Sequence, residues 1–301
     1  MAIEKQVITD RSLYKFDFIG KSKIWFIFSS ILIITGIVFF ILRGFNYGID
    51  FLGGNLMEVK FKQDVSISQL RKVMEDVGYG KSILQSTSPS QYVIRTIPIE
   101  VSEKNKILES LDKSIGIERP LVQDRQVAAG FSKQITKFAL IAVAISLAGI
   151  LIYIWIRFEV RFALIAIFEL FHDLLIILAF YAITFREFNS TSLAVVLTIL
   201  GYSLNDAIVV FDRVREELRL TKKDRLYDVV NYSINKTIVR SIGSSVMTLF
   251  PIIVLLIIGN ETLKDFAFGL FIGILAGSYS SVFIGSPLLV VWNNRFPKYK
   301  K

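Results

Sequence analysis

Leu193-Ala-Val-Val-Leu-Thr-Ile-Leu-Gly-Tyr-Ser-Leu-Asn-Asp-Ala-Ile-Val-Val-Phe211 is a 19-residue run long and apolar enough to cross a bilayer. Roughly 30 Å of hydrocarbon takes about 20 apolar residues at 1.5 Å each. Five further blocks of this kind lie at 24–42, 136–156, 162–184, 241–258 and 266–292. They raise the hydrophobic share of the 301-residue chain to 53%, above the about 45–50% of soluble domains. The sequence therefore predicts a polytopic α-helical membrane protein with six transmembrane helices. The first block is too long for a cleaved signal peptide and no A-x-A-like site follows it, so it reads as a retained signal anchor.

Between the first two blocks the composition becomes that of a soluble domain. Asn55–Lys62 alternates Leu56, Glu58 and Lys60 with Met57, Val59 and Phe61, the period of a half-buried strand. Ser66 and Gln69 form a capping-box pattern ahead of Leu70, Val73, Met74 and Val77. Two short strands are expected at Ser82–Thr87 and Gln91–Ile97, then a helix capped by Ser102 and a last strand over Ile117–Val127. The order is βαββαβ, so the expectation is an α+β ferredoxin-like domain. That fold by itself names no function.

The expected organisation is an N-terminal segment 1–23, a first helix 24–42, a domain with its linkers at 43–134, a five-helix bundle at 135–293 and a tail at 294–301. The net charge of +9 would suit nucleic acid, but its placement argues for a membrane. Lys5, Arg11, Lys15, Lys21 and Lys23 precede the first block; Arg157 and Arg161 sit at the second turn; Arg213 to Lys236 fill the connection at 212–236, with Arg240 just after it; Arg295 to Lys301 end the chain. Apart from the long domain, which is exempt from such a count, the opposite connections carry only Arg186 and Lys264. Excess Lys and Arg marks the cytoplasmic side, which places both termini there and the domain outside. The connection at 212–236 has an apolar side of Val214, Leu218, Leu226, Val229, Val230 and Ile234, as in an interfacial amphipathic helix or hairpin.

Polar residues inside the spans carry the functional signal. Glu169, His172 and Asp173 share one face of the third span, and Tyr202 and Asp206 share a face of the fourth. A carboxyl at a span centre costs about 2.5–3.5 kcal/mol on insertion scales. Such groups face the bundle interior or a wet cavity. Three readings stand open: hydrogen-bonded glue between helices, a metal site, and a proton relay. The metal reading lacks HExxH and a second histidine, since His172 is the only one; with no cysteine, thiolate sites are excluded. Gly269, Gly273 and Gly277 give the sixth span a small-xxx-small stripe, read either as tight packing or as a sliding face.

Several motifs resemble one family. Gly48-Ile-Asp-Phe-Leu-Gly-Gly54, His172-Asp173, Gly201-Tyr-Ser-Leu-Asn-Asp206 continuing to Arg213, Thr237-Ile-Val-Arg240, and Gly277-Ser-Tyr-Ser-Ser281 through Pro287 are similar to those of the SecD/SecF family. The similarity runs from about residue 15 to 293. It implies the resistance-nodulation-division superfamily, a heterodimer with SecD, association with the SecYEG channel and YajC, translocating preproteins as clients, and protons as the driving species. It implies a role without enzymatic activity, metal or cofactor. It assigns the proton path to Asp206 and Arg240, with Asn205 as neighbour and a carboxylate from SecD. Glu169, His172, Asp173 and Tyr202 become a supporting stripe. Gly48, Asp50, Gly53 and Gly54 become a hinge between membrane and domain. Two positions depart from the pattern. Ala207 stands where a hydroxyl often follows the Asn-Asp pair, and Gly259-Asn260 where two glycines are common. A stand-alone proton-driven small-molecule exporter and an intramembrane hydrolase built on Glu169, His172 and Asp173 are the rival functions.

Overall fold

A computed structural model describes residues 16–220, 225–259 and 261–299. Lys5, Arg11, Lys15, Lys222, Lys223, Asn260, Lys300 and Lys301, which entered the charge pattern and the turn reading, lie outside the described residues. Among the described residues six helices are long and apolar enough to cross a membrane: Ser22–Arg43, Gly130–Arg157, Val160–Thr184, Ser190–Leu220, Leu226–Ile258 and Leu263–Arg295. The chain divides into two compact units, one of them Tyr47–Ala142 and the other made of the described residues before and after it.

In the unit Tyr47–Ala142, four antiparallel strands and two helices alternate. The strands are Gly54–Lys60, Ile83–Ser88, Gln91–Thr96 and Gln123–Val127, ordered in the sheet as second, third, first, fourth. The helices Ile67–Asp76 and Val101–Ser114 lay Leu70, Met74, Ile107 and Leu111 against Met57, Val59 and Ile94. Ser66 and Gln69 close the capping box, satisfying donors that the first turn leaves open. The second helix starts earlier than its sequence suggests. Glu100 occupies the cap position in extended geometry and Ser102 falls inside the first turn. The strand Gly54–Lys60 is buried on both faces up to Lys60, not on one. Its second face is covered by Ile49, with Leu56, Val93 and Val127 completing a small cluster. The last strand is shorter than expected. Ile117 makes only an isolated bridge to Phe61, and Pro120, with no N–H to give a ladder, separates it from Gln123–Val127.

The other unit holds the packed helices around Phe162, Ile165, Val195, Ile199, Val210, Phe211 and Ile274. The connection at 212–236 differs from its interfacial reading. The fourth helix runs on to Leu220 and the fifth starts at Leu226. Val214, Leu226, Val230 and Ile234 are buried in the core, Leu218 packs against it, and Val229 is fully buried as well. The apolar side is thus spent on protein contacts. At the same end the segment before the first span is tied to the fifth helix. Asn231 accepts hydrogen bonds from Phe18 N at 2.9 Å and Ile19 N at 3.2 Å. Asp17 in turn accepts from Asn231 Nδ2 and the Tyr227 hydroxyl.

The sixth span is interrupted. A helix to Ser280 passes into a π-helical turn, Ser281–Gly285, and resumes at Ser286–Arg295 with Pro287 in its first turn. The turn relieves the α-helical hydrogen bond that Pro287 cannot donate. Insertions of this type are frequent at functional sites.

Candidate functional site: buried carboxyls against a serine-rich sixth span

The glycine stripe fixes how the sixth span meets the fourth. A Cβ on Gly273 would lie 2.4 Å from Ile199, one on Gly277 2.9 Å from Ser203, and one on Gly269 2.5 Å from the Tyr181 hydroxyl and 2.9 Å from Val195. Residues four apart on one helix therefore meet residues four apart on the other, at a distance only glycine permits. This brings the serines after Gly277 against the carboxyls of two other spans.

Asp173 is the hub of the first group. The Ser203 hydroxyl of the fourth span donates to its Oδ2, and Ser280 of the sixth donates to the same oxygen at 2.8 Å. His172 Nδ1 stands 3.0 Å from Oδ1. Three spans converge on one carboxyl. One turn away, Glu169 is 1% exposed and neither carboxyl oxygen has a partner among the described residues. Its carboxyl fills the space left by Gly285 in the π-helical turn, where a Cβ would fall 1.1 Å from Oε1.

Asp206 belongs to a second group. It is 2% exposed and accepts a hydrogen bond from Ser278 Oγ at 3.1 Å. Ser278 Oγ lies 2.5 Å from Ser245 Oγ, and Ser245 donates at 2.8 Å to the backbone oxygen of Ser241. A line of hydroxyls thus runs from the fourth span through the sixth to the backbone of the fifth. Ala207 supplies no hydroxyl beside Asp206, and Ser278 supplies one from another helix.

Other expected members are placed differently. Arg240 is exposed and makes no hydrogen bond or ion pair among the described residues, so Asp206 has a serine neighbour where an arginine was expected. The reason is helical phase. Thr237, Ser241, Ser245, Leu249 and Ile252 occupy the buried side of the fifth span, which turns Arg240, Gly243, Ser244 and Met247 outward. Asn205 is exposed as well. Tyr202 makes a long 3.4 Å hydrogen bond to Thr248. Among the described residues no three His, Asp or Glu side chains converge as metal ligands.

The Gly48–Gly54 motif builds the entry to the soluble unit. Gly48 precedes the short helix Ile49–Leu52, and buried Asp50 pairs with Arg125 at 3.0 Å. Gly53 and Gly54 have φ of +73° and +130°, and a Cβ on Gly54 would sit 2.2 Å from Thr96 O. Both the backbone geometry and the close approach require glycine.

Sequence reading singled out the carboxyls but gave no role to Ser203, Ser245, Ser278, Ser280 or Gly285. The density of serine over 278–281 was the available signal.

Residues 106–295 match the family model described as protein export membrane protein SecD/SecF, C-terminal, and residues 38–65 match the SecD/SecF GG motif. The chain is 37% identical over 281 residues to a protein translocase subunit SecF of Calditerrivibrio nitroreducens, covering 91% of this chain and 92% of that one. It is 34% identical over 297 residues to a protein translocase subunit SecF of Rickettsia bellii, covering 95% of each. The crystal structure of SecDF from Thermus thermophilus, described as a translocon-associated membrane protein, superposes with a TM-score of 0.86 at 31% identity over 98% of this chain. The chain spans 40% of that SecDF chain's length.

Proposed function

The chain belongs to the SecD/SecF family of protein-export membrane proteins, and from that membership we propose that it is an accessory, non-enzymatic subunit of Sec-dependent export. Working with SecD, it couples the proton motive force to the late stages of translocation. SecD is its heterodimer partner, SecYEG and YajC are its associates, and preproteins are its clients. The observation that carries the reading is Asp206, a carboxyl buried in a span and linked through Ser278 and Ser245 to the fifth helix. Buried intramembrane acids joined to hydroxyl chains suit proton transfer.

Arg240 and Asn205 complete the path from the outward side. Their exposure suits a site finished by a neighbouring span, and the family's SecD carboxylate is the group that Arg240 would meet there. Glu169, His172, Asp173 and Tyr202 support the path by holding the third, fourth and sixth spans together. Both termini are cytoplasmic and the soluble unit is extracytoplasmic, with Gly48, Asp50, Gly53 and Gly54 as the hinge; Lys and Arg placement supports this orientation. We read the unit as ferredoxin-like, an assignment supported by its strand–helix–strand–strand–helix–strand order and antiparallel sheet.

The test is precursor accumulation in cells depleted of this protein, rescued with wild type or Asp206→Asn. Rescue by wild type alone supports the reading. Export that is untouched by depletion removes it. Proton flux in proteoliposomes of this chain with SecD separates the relay from the export role: an Asp206→Asn variant that conducts like wild type defeats the relay only.

A further inference from the structure

A groove of about 550 Å³ opens at the start of the third span, lined by Glu159, Val160, Arg161, Leu164, Trp292 and Lys298. Arg161 gives one guanidinium nitrogen to Phe296 O at 2.7 Å. Lys298 lies against Glu159, which also accepts from the Tyr299 hydroxyl at 3.3 Å. The ion pair is exposed, at 47% for each side chain, so both charges stay hydrated and reachable. The Trp292 indole N–H makes no hydrogen bond among the described residues. Arg157 and Arg215 stand nearby, both paired to Asp212. With Glu159 and Asp212 counted against Arg157, Arg161, Arg215 and Lys298, the neighbourhood keeps a cationic excess.

Out of this groove runs an apolar track. Val160, Leu164, Phe168 and Phe171 lie on one face of the third span at spacings of four, four and three, each exposed by 42% or more. Cations with an indole donor at the end of a span, followed by an apolar stripe along it, match the two halves of a lipid. A soluble phosphate would use only the first half.

We propose that this groove is a binding site for an anionic phospholipid. Arg161, Lys298 and the Trp292 indole take the headgroup phosphate, and Val160, Leu164, Phe168 and Phe171 carry an acyl chain. Basic pockets at the ends of spans recognise such headgroups. The site rests only on the chain's spanning a membrane and is independent of the proton path.

The full chain, carrying Trp25→Phe and Trp155→Phe so that Trp292 is the sole indole, is reconstituted in vesicles of phosphatidylcholine doped with brominated phosphatidylglycerol or brominated phosphatidylcholine. Bromine quenches an adjacent indole. The expected result is stronger quenching by the anionic lipid, with the preference falling about fivefold for each cation removed in Arg161→Gln and Lys298→Gln. Glu159→Gln, which deletes the carboxylate that lines the groove, should raise the preference, and this gain cannot come from misfolding. Equal quenching by the two lipids in the starting protein overturns the proposal. So does an anionic preference that Glu159→Gln lowers. Loss of the preference on adding inorganic phosphate, but not chloride of matched ionic strength, overturns the lipid in favour of a free anion.

Discussion

Gly285→Ala isolates the contact between the π-helical turn and Glu169. The added Cβ would lie 1.1 Å from Oε1, 2.1 Å from the carboxyl carbon and 2.8 Å from Cγ. A flexible side chain would normally swing away, but this one is 1% exposed and enclosed by packed spans. Overpacking of this kind costs about 1–3 kcal/mol. Among the described residues neither carboxyl oxygen of Glu169 has a hydrogen-bond partner, so Glu169→Ala removes the obstacle without breaking a hydrogen bond. A double-mutant cycle then follows from the geometry. Gly285→Ala alone lowers stability by about 1–3 kcal/mol, and in the Glu169→Ala background the same change costs less than about 0.5 kcal/mol. Folded fraction is read by circular dichroism as sodium dodecyl sulfate is titrated into mixed micelles. Equal penalties in the two backgrounds would show that the glycine is not there to make room for the carboxyl.

Three further perturbations test other contacts. Asn231→Ala strips the acceptor from the buried Phe18 and Ile19 amides; unpaired amides cost about 1–3 kcal/mol each, and trypsin should then cut faster after Lys21, an unchanged rate counting against the tie. Gly36→Ala sets a Cβ 2.2 Å from the Ala179 Cβ and 2.5 Å from its Cα; backbone cannot swing aside, so the first and third spans must part at about 1–3 kcal/mol in the same titration, and a neutral result would mean that they do not touch there. Lys298 holds Glu159 below its ordinary value of 4.5, and Glu159 holds Lys298 above its ordinary 10.5. The contribution of Glu159 is therefore present above pH 4.5 and lost as pH falls through its lowered value, while that of Lys298 is present below pH 10.5 and lost as pH rises through its raised value. The effect is small because the pair is exposed. Trp292 emission should stay flat between those limits and change outside them, and Glu159→Gln should remove the acid limb; an acid limb that persists assigns it to another group.

The spans were legible because bilayer thickness sets a length that apolar runs must meet. Their ends were not. Val230 and Ile234 extend the fifth helix because they pack on protein, and composition does not distinguish that from lying on lipid. The strand around Met57 was legible by alternation, yet its second face needed Ile49, which lies before the strand in a separate short helix. Asp206 and Asp173 stood out as carboxyls in apolar runs. Their partners did not: Ser278 is 72 residues from Asp206, and Ser280 is 107 from Asp173. Only the glycine-mediated approach of two helices puts them together. Arg240 was chosen by family motif, and the turn of its helix faces it outward.

The hydroxyl line from Asp206 has a deficit in its hydrogens. Two hydroxyls, Ser278 and Ser245, bring one hydrogen each, while three junctions need one: Asp206 with Ser278, Ser278 with Ser245, and Ser245 with Ser241 O. With Asp206 ionised, one of the three junctions must go empty: the carboxylate with Ser278, the two hydroxyls with each other, or Ser245 with the Ser241 carbonyl. A hydrogen arriving on Asp206 is the missing third, and every junction is then filled by rotating each hydroxyl toward the fifth helix. The row behaves as a tally that is complete in one charge state and short by one in the other, so protonating a carboxyl on the fourth helix adds one contact to the row that joins it to the fifth.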